Sequence, residues 1–342
     1  MRCIIVSDAW APQINGVVRT LTTLKEHLTG QGHEIVTITP DQFRSIPCPT
    51  YPEIRLSLFP AARITRIIEE TLPSAIHIAT EGPLGLAARK YCLKKKLPFT
   101  TAFHTRFAEY VHARTRIPLS WGYGFLKWFH KPSSSVMVAT QSLQADLEAR
   151  GFKNIMRWTR GIDTDLFHPR EKGLQNLPRP IFMYVGRVAV EKNIESFLKL
   201  DLPGSQVIIG DGPQRKELEK KYVKAHFLGM KTGADLAFHY ASADVFVFPS
   251  KTDTFGLVLL EALASGVPVA AYPVTGPLDV IGNAPVGSLD TDLKQASLNA
   301  LSLNTDLCRS FSLDYSWKKS ADQFLSNLAP FSPDRISPRD QV

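Results

Sequence analysis

Short apolar runs alternate with helical segments along most of this 342-residue chain, and this alternation limits the possible folds more than any other feature. Residues 4–6 are apolar, residues 17–28 carry apolar side chains at helical spacing, and residues 34–39 form the next strand-like run. A strand, a helix and a second strand in this order are typical of a βαβ unit. The pattern predicts an α/β protein with doubly wound parallel sheets. The GxGxxG dinucleotide fingerprint is absent from the sequence, which argues against a nicotinamide enzyme.

The same alternation starts again in the second half of the chain, where residues 181–185 form the first apolar run. Two similar α/β halves therefore follow one another, and the length is sufficient for two domains of ordinary size. The Pro-rich residues 40–60 are expected to form a loop. Residues 331–342 are polar and contain prolines, and we predict that they are disordered.

The stretch from residue 245 to residue 264 combines a strand, a polar turn and a helix. Residues 245–248 are apolar and predict a buried strand, and Thr254 is the expected N-cap of a helix opened by Phe255 and Gly256. Such a helix N-terminus attracts anions through its free backbone N–H groups and its dipole. Glu261 follows within the apolar helix, where it serves either a bound ligand or a structural ion pair.

Several polar residues follow predicted strands, at the sheet edge where open α/β sheets bind ligands. Arg187 and Lys192 bracket the turn after the strand 181–185, so both can face one diphosphate. His104 follows the strand 99–103 and is either a site residue or a structural histidine. Gly16 precedes a helix, where it permits close approach of a ligand to the backbone or simply forms a turn.

Positive charge is concentrated in the first half. Residues 1–160 contain 21 Lys and Arg against 11 Asp and Glu, whereas the rest of the chain has a net charge of −2. Within residues 106–131 basic and aromatic side chains alternate, and this stretch includes Trp121, Lys127, Trp128 and Lys131. The pattern suits the headgroup layer of an anionic membrane, single-stranded nucleic acid, or a buried aromatic helix with a solvated edge.

The cysteines at positions 3, 48, 92 and 308 are scattered without the spacing of a metal or redox site, which predicts reduced thiols in the cytoplasm. The N-terminal apolar run is too short for a signal peptide, and no apolar run is long enough to span a membrane. The paired acids Asp163 and Asp165 are interpreted as a turn, and we predict no metal site.

Taken together in their order and spacing, these residues resemble the retaining nucleotide-sugar glycosyltransferases of family four. The matching features are the loop ending at Gly16, the run Phe103-His104-Thr105, the Gly161-Ile-Asp linker, Gly186-Arg187 with Lys192, residues 210–213, and Phe255-Gly256 with Glu261. They span nearly the whole chain. The resemblance implies a GT-B fold, in which two Rossmann-like domains face each other across a cleft.

The resemblance also implies roles for individual residues. Residues 1–165 would bind the acceptor and residues 166–315 the nucleotide sugar, with a C-terminal helix at 316–330 packing back on the first domain. Glu261 would bind the ribose, and Asp253, in place of the Glu of the family pattern, would hold the donor sugar with the backbone of Thr254, Phe255, Gly256 and Leu257. Arg187 and Lys192 would clamp the diphosphate, His104 would lie near the donor sugar, and Gly16 would close on the phosphates.

By the same resemblance, the protein is similar to bacterial lipid glycosyltransferases and mannosyltransferases. The implied reaction moves a hexose or hexuronic acid from a UDP- or GDP-sugar to a membrane lipid such as diacylglycerol, with retention and without a cofactor or a metal. The expected location is the inner face of the cell membrane, with no nucleic acid as partner. The alternatives are a lipopolysaccharide or polysaccharide precursor as acceptor, a nucleotide-sugar epimerase, and a non-enzymatic protein that binds membranes or nucleic acid.

Overall fold

The computed structural model describes residues 1–11, 13, 16–48, 51–104, 108–109, 116–251 and 255–336. The chain divides into two compact units: unit 1 comprises Met1–Thr159 with Ser320–Val342, and unit 2 comprises Arg160–Lys319. The chain thus leaves unit 1 after Thr159, a few residues before the expected boundary at 165, and returns to it at Ser320.

Unit 1 is built on a six-stranded sheet. Its strands, in chain order, are β1 (Arg2–Val6), β2 (Glu34–Ile38), β5 (Ala75–Ile78), β6 (Thr100–Phe103), β7 (Ser135–Val138) and β8 (Ile155–Arg157). A separate antiparallel hairpin contains β3 (Ser45–Cys48) and β4 (Tyr51–Ser57). The spatial order β2-β1-β5-β6-β7-β8 is parallel throughout. The chain reverses its direction of winding between β1 and β5, as in doubly wound sheets.

The described part of unit 1 contains these helices before its last strand: α1 (Gly16–Gly30), α2 (Ala61–Thr71), α3 (Pro83–Lys95), α4 (Leu119–His130) and α5 (Gln141–Ala149). Ile64 and Ile68 of α2, Ala88 of α3 and Phe129 of α4 belong to one core cluster with Ile76 of the sheet. The three helices α2, α3 and α4 therefore cover the same face of the sheet side by side. Helices that cover the sheet explain why its inner strands are fully buried.

Unit 2 repeats this architecture. Its strands are β9 (Ile181–Val185), β10 (Ser205–Ile209), β11 (His226–Gly229), β12 (Val245–Phe248), β13 (Val269–Ala271) and β14 (Gly287–Leu289). Their order is β11-β10-β9-β12-β13-β14, and all pairs are parallel. The winding reverses between β9 and β12, which makes the carboxyl ends of these two strands the expected ligand position.

The helices of the second part of the chain are α6 (Ile194–Leu198), α7 (Arg215–Lys221), α8 (Gly233–Ser242), α9 (Leu257–Ala264), α10 (Thr275–Val280), α11 (Leu293–Ala300), α12 (Thr305–Ser312) and α13 (Trp317–Asn327). Helix α13 carries the chain back to unit 1. The indole Nε1 of Trp158 donates to Ser320 Oγ at 3.2 Å, and Asn327 Nδ2 donates to the carbonyl of Arg157 at 2.8 Å. In the described residues, no helix has both the length and the apolarity needed to cross a bilayer.

Two expectations about irregular segments are wrong. Residues 40–60 include the β3–β4 hairpin rather than only a loop, because a two-stranded hairpin has free edges that tolerate proline. Residues 331–336 are not disordered: Phe331 and Ile336 are buried in the core of unit 1, and Phe331 N donates to the carbonyl of Ser74 at 2.8 Å. Residues 337–342 lie outside the described residues.

Candidate functional site

Two glycine turns meet at the carboxyl ends of β9 and β10. Gly186 N donates to the carbonyl of Ile209 at 2.9 Å, and Val188 N donates to the carbonyl of Asp211 at 2.9 Å. Gly210 has φ +137°, and a Cβ added to it would lie 1.9 Å from the carbonyl oxygen of Gly186. The two turns are therefore packed backbone against backbone, which fixes the position of the intervening Arg187.

Replacing Gly210 by alanine is expected to lower the free energy of unfolding by about 2 to 3 kcal/mol, because neither backbone can move away from the added methyl group. Urea unfolding followed by circular dichroism measures this change. Gly233→Ala is the matched control, since Gly233 also has a positive φ of +52° but an added Cβ meets nothing within 4 Å. Equal losses in the two variants would refute the steric explanation.

Arg187 and Lys192 lie at the point where the winding of unit 2 reverses. Arg187 is exposed and directly follows the turn after β9, and its carbonyl accepts from Tyr184 Oη at 3.0 Å. Lys192 ends a short 3-10 turn, and the next residue, Asn193, donates from Nδ2 to the carbonyl of Pro249 at 3.1 Å. This hydrogen bond ties the Lys192 turn to the end of β12. The structure thus brings both predicted cations to one edge of the sheet.

Helix α9 starts at the same edge, after β12. Its first residue is Leu257 and its N-cap is Gly256, which has φ +82°, so the predicted N-cap at Thr254 is wrong. A left-handed conformation favours glycine at this position, whereas the prediction relied on the capping hydroxyl of threonine. Phe255 packs against the core of unit 2. Asp253 and Thr254 lie outside the described residues.

Glu261 lies one turn after Leu257 and is 2% exposed. The phenol of Tyr240, which is fully buried in α8, donates to Glu261 Oε2 at 2.9 Å. A carboxylate has room for several hydrogen bonds, so this contact leaves acceptor capacity on the side chain. Both a structural role and a ligand-binding role of Glu261 are therefore compatible with its surroundings. Tyr240 holds the carboxylate in a fixed orientation, and a ligand hydroxyl is a suitable further donor.

His104 and Gly16 belong to unit 1. His104 directly follows β6 and is half-buried, and its ring packs edge-on against Trp158 with centroids 5.6 Å apart. Gly16 is the first residue of α1, and among the described atoms none lies within 4 Å of an added Cβ. The described part of the fold therefore places no steric demand for glycine at position 16.

Asp8 is a residue of unit 1 that the sequence reasoning missed. It follows β1 at the point where the winding reverses, and it is 7% exposed. Its carboxylate accepts from Leu84 N at 2.9 Å, Gly85 N at 3.3 Å and Thr80 Oγ1 at 2.9 Å. Burial raises the pKa of Asp8, and these hydrogen bonds oppose the increase. In the sequence, this site residue is indicated by the polar pair Ser7-Asp8 directly after an apolar strand.

The two units therefore differ at equivalent positions. In unit 1 the N-terminus of α3 is occupied by the carboxylate of Asp8, which repels other anions. In unit 2 the corresponding edge carries Arg187, Lys192 and the start of α9. Two cations and a helix N-terminus stabilise negative charge on a phosphate without a proton transfer. This asymmetry makes the carboxyl edge of unit 2 the better candidate for an anion site.

The predicted aromatic stretch contains α4, which has two apolar sides. Tyr123, Leu126 and Phe129 are buried, whereas Trp121 is 74% exposed and Trp128 is 52% exposed. One side of the helix is therefore buried, as the buried-helix interpretation requires, and the exposed aromatic side leaves the membrane and nucleic-acid interpretations untested. We call the exposed side the aromatic face; it comprises Trp121, Phe125 and Trp128, at positions i, i+4 and i+7.

The cations near the aromatic face differ in their contacts. Lys131 is exposed at the C-terminal end of α4. Lys127 is also exposed, but its Nζ donates to the carbonyl of Arg150 at 3.4 Å, at the end of α5. Arg89 of α3 lies over the Trp128 ring at 4.0 Å and donates to the carbonyl of Trp128 at 2.9 Å. Trp128 is thus held in place while much of its ring remains in solvent.

Two family models match the two halves of the chain: the one described as Glycosyltransferase Family 4 covers residues 14–166, and the one described as Glycosyl transferases group 1 covers residues 168–300. The crystal structure of Anabaena Alr3699/HepE in complex with UDP has a TM-score of 0.72 and 14% identity, over 95% of this chain and 99% of that one. At that identity the likeness concerns the fold alone, which is the two-domain GT-B fold.

Three curated relatives are similar along much of the sequence. A GDP-mannose-dependent alpha-mannosyltransferase of Mycolicibacterium smegmatis is 31% identical over 88% of this chain and 87% of the relative. The alpha-monoglucosyldiacylglycerol synthase of Acholeplasma laidlawii is 30% identical over 79% of each chain. The sulfoquinovosyl transferase SQD2 of Arabidopsis thaliana is 30% identical over 78% of this chain, which spans only 58% of that longer protein. With these relatives and both halves matched, the chain belongs to glycosyltransferase family 4.

Proposed function

We propose that this glycosyltransferase moves a hexose or hexuronic acid from a nucleoside-diphosphate sugar to a membrane lipid such as diacylglycerol. The observation that carries the donor part is the placement of Arg187 and Lys192 beside the start of α9, where the winding of unit 2 reverses. A diphosphate is the ligand chemistry that two cations and a helix N-terminus favour.

The names of relatives and neighbours support both substrates. A GDP-mannose-dependent enzyme and a structure solved with UDP support a UDP- or GDP-sugar as donor. A glucosyldiacylglycerol synthase and a sulfoquinovosyl transferase support a glycolipid as product. In our proposal Glu261, oriented by Tyr240, accepts hydrogen bonds from the ribose, and His104 and Asp253 contact the donor sugar. The backbone at 254–257 and Gly16 approach the phosphates.

The proposed chemistry is transfer with retention of anomeric configuration. The bond between the sugar and the diphosphate breaks, the acceptor hydroxyl bonds to the same face of the sugar carbon, and its proton passes to the leaving phosphate oxygen. Arg187 and Lys192 stabilise the charge that develops on this oxygen. Because fixed cations supply this stabilisation, we propose that the reaction needs no metal ion.

The proposed acceptor site requires access to a bilayer, and the aromatic face of α4 provides a suitable contact. Trp rings are well suited to the headgroup layer, and unit 1 carries most of the positive charge of the chain. We therefore propose peripheral binding to an anionic membrane surface, on the cytoplasmic side.

A transfer assay with labelled sugars tests this proposal. The wild-type protein is incubated with diacylglycerol in mixed micelles and with UDP-glucose, UDP-galactose, UDP-glucuronic acid or GDP-mannose in turn, with and without EDTA. The expected result is a labelled lipid from one donor, at a rate that EDTA leaves unchanged. Label found only in a lipopolysaccharide or polysaccharide precursor added as acceptor would contradict the diacylglycerol assignment, and conversion of the donor into its epimer would contradict transfer.

A further inference from the structure

Phe59, at the junction between the β3–β4 hairpin and α2, is placed in a way that folding does not explain. It is 95% exposed, so its phenyl ring gains no burial within the chain. Its backbone has φ +47°, a left-handed conformation that costs a bulky residue about 1 kcal/mol or more. Glycine would adopt this conformation without strain. A strained backbone that presents a large apolar ring to solvent indicates a contact with a partner.

The surroundings of Phe59 are apolar and cationic. Leu58 is 40% exposed, and its N–H donates to the carbonyl of Arg44 at 2.8 Å. Arg44, Arg63 and Arg66 are exposed, and none of them forms an ion pair with the described residues. We call this group of five residues the Phe59 tip.

The acidic residues of α2 lie away from the Phe59 tip. Glu69 and Glu70 are in the last turn of α2, whereas Arg63 and Arg66 are in its first two turns. Glu69 is also paired with Lys95 Nζ at 3.1 Å. The N-terminal end of α2 is therefore positively charged, and the charge is complementary to anionic lipid headgroups.

The topology places the Phe59 tip and the aromatic face at the same end of unit 1. Helices α2 and α4 each precede a strand of the parallel sheet, so both begin near the carboxyl ends of the strands. Phe59 lies two residues before the start of α2, and Trp121 lies in the first turn of α4. Helix α3 lies between them, and packed helices are 8–10 Å apart, so the two aromatic points are separated by roughly 20 Å.

We propose that the Phe59 tip is a second membrane-inserting point, at which Phe59 and Leu58 enter the headgroup layer of an anionic bilayer while the three arginines bind lipid phosphates. The inference rests on the membrane contact proposed above for the aromatic face of α4. A protein held by one helix face can rotate about that face on the bilayer. Two insertion points on one side of unit 1 prevent this rotation and so fix the orientation of the protein. They also hold the carboxyl edge of unit 1 close to a lipid acceptor.

Binding to vesicles of phosphatidylcholine, with and without phosphatidylglycerol, tests the inference. The variants are Phe59→Gly, the double variant Trp121→Ser with Trp128→Ser, and the control Val223→Gly, which removes an 83% exposed apolar side chain from unit 2. Phe59→Gly is expected to weaken binding to anionic vesicles by about ten- to a hundredfold, from the apolar burial lost. Because the strain disappears, its melting temperature is expected to stay unchanged or rise. Val223→Gly is expected to bind like the wild type.

The outcomes separate this inference from the proposed function. If Phe59→Gly binds vesicles like the wild type and the tryptophan variant binds weakly, the Phe59 tip is not an insertion point, and the membrane contact of the aromatic face remains supported. A lower melting temperature for Phe59→Gly would also overturn it, since Phe59 would then serve the fold. If the wild type itself fails to bind anionic vesicles, both membrane proposals are overturned.

A double variant, Arg63→Gln with Arg66→Gln, is expected to reduce the salt dependence of vesicle binding, because two cations that contact lipid phosphates are removed. An unchanged salt dependence would contradict the contribution of these arginines to binding.

Discussion

Arg187→Ala is expected to lower kcat for glycosyl transfer by about a hundred- to a thousandfold, the usual effect of removing one preorganised group that stabilises developing charge. Arg187 follows the turn that Gly186 and Gly210 lock in place, so its backbone position is fixed before the reaction begins. Its side chain is exposed, and the fold does not depend on its burial. Steady-state rates with the donor identified in the transfer assay measure the effect.

The matched control for Arg187→Ala is Lys220→Ala, which removes an exposed cation from α7 of the same unit. We expect Lys220→Ala to retain the wild-type rate, because α7 ends away from the carboxyl edge of the sheet. The melting temperatures of both variants should match that of the wild type. Equal rates for Arg187→Ala and the wild type would remove Arg187 from the proposed reaction.

Lowering the pH is expected to reduce the free energy of unfolding of unit 1, because protonation of His77 favours the unfolded chain. This side chain is fully buried in β5, with Nδ1 2.9 Å from Thr100 Oγ1, and burial lowers the pKa of His77 to about 3. The unfolded chain takes up the proton near pH 6.5, whereas the folded protein excludes it down to about pH 3. Stability from this group is therefore complete above pH 6.5 and is lost as the pH falls, by a total of about 5 kcal/mol near pH 3.

Urea unfolding at a series of pH values between 7 and 4 measures the acid effect, because the slope of unfolding free energy against pH reports the protons bound. His77→Asn keeps a polar atom near Thr100 but cannot be protonated, so its slope should be smaller than that of the wild type. His27→Asn, which changes an exposed histidine in α1, is the control and should keep the wild-type slope. Identical slopes for His77→Asn and the wild type would contradict the assignment.

Periodic apolar patterns predicted the elements that hold the site. The strand at 245–248 and the helix after residue 256 appear as β12 and α9, and the burial of Glu261 follows from its position in an apolar helix. The turn with Arg187 was also predictable, since a glycine after an apolar strand marks a strand end. These features depend on local sequence, and local sequence was sufficient to identify them.

Features that depend on distant contacts were not predictable in the same way. The partner of Glu261 is Tyr240, which belongs to the neighbouring helix α8, and no sequence spacing indicates that pairing. Ile336 lies in a polar segment and is buried only because the chain returns to unit 1. The carboxylate of Asp8 caps a helix that begins more than seventy residues later. In each case a contact between segments that are distant in the sequence decides the outcome.

We propose that unit 2 holds the nucleotide part of the donor, with Glu261 as the ribose contact. Isothermal titration calorimetry with UDP, GDP and ADP tests it most directly, on the wild type and on Glu261→Gln, with the exposed Glu219→Gln as control. We expect one nucleotide to bind the wild type and Glu219→Gln equally well, and Glu261→Gln to bind it about ten- to a hundredfold more weakly, because hydrogen bonds to a charged acceptor contribute about 1.5 to 3 kcal/mol. Absence of binding by all three nucleotides would contradict a nucleotide site in unit 2, and equal binding by Glu261→Gln would contradict the ribose contact of Glu261.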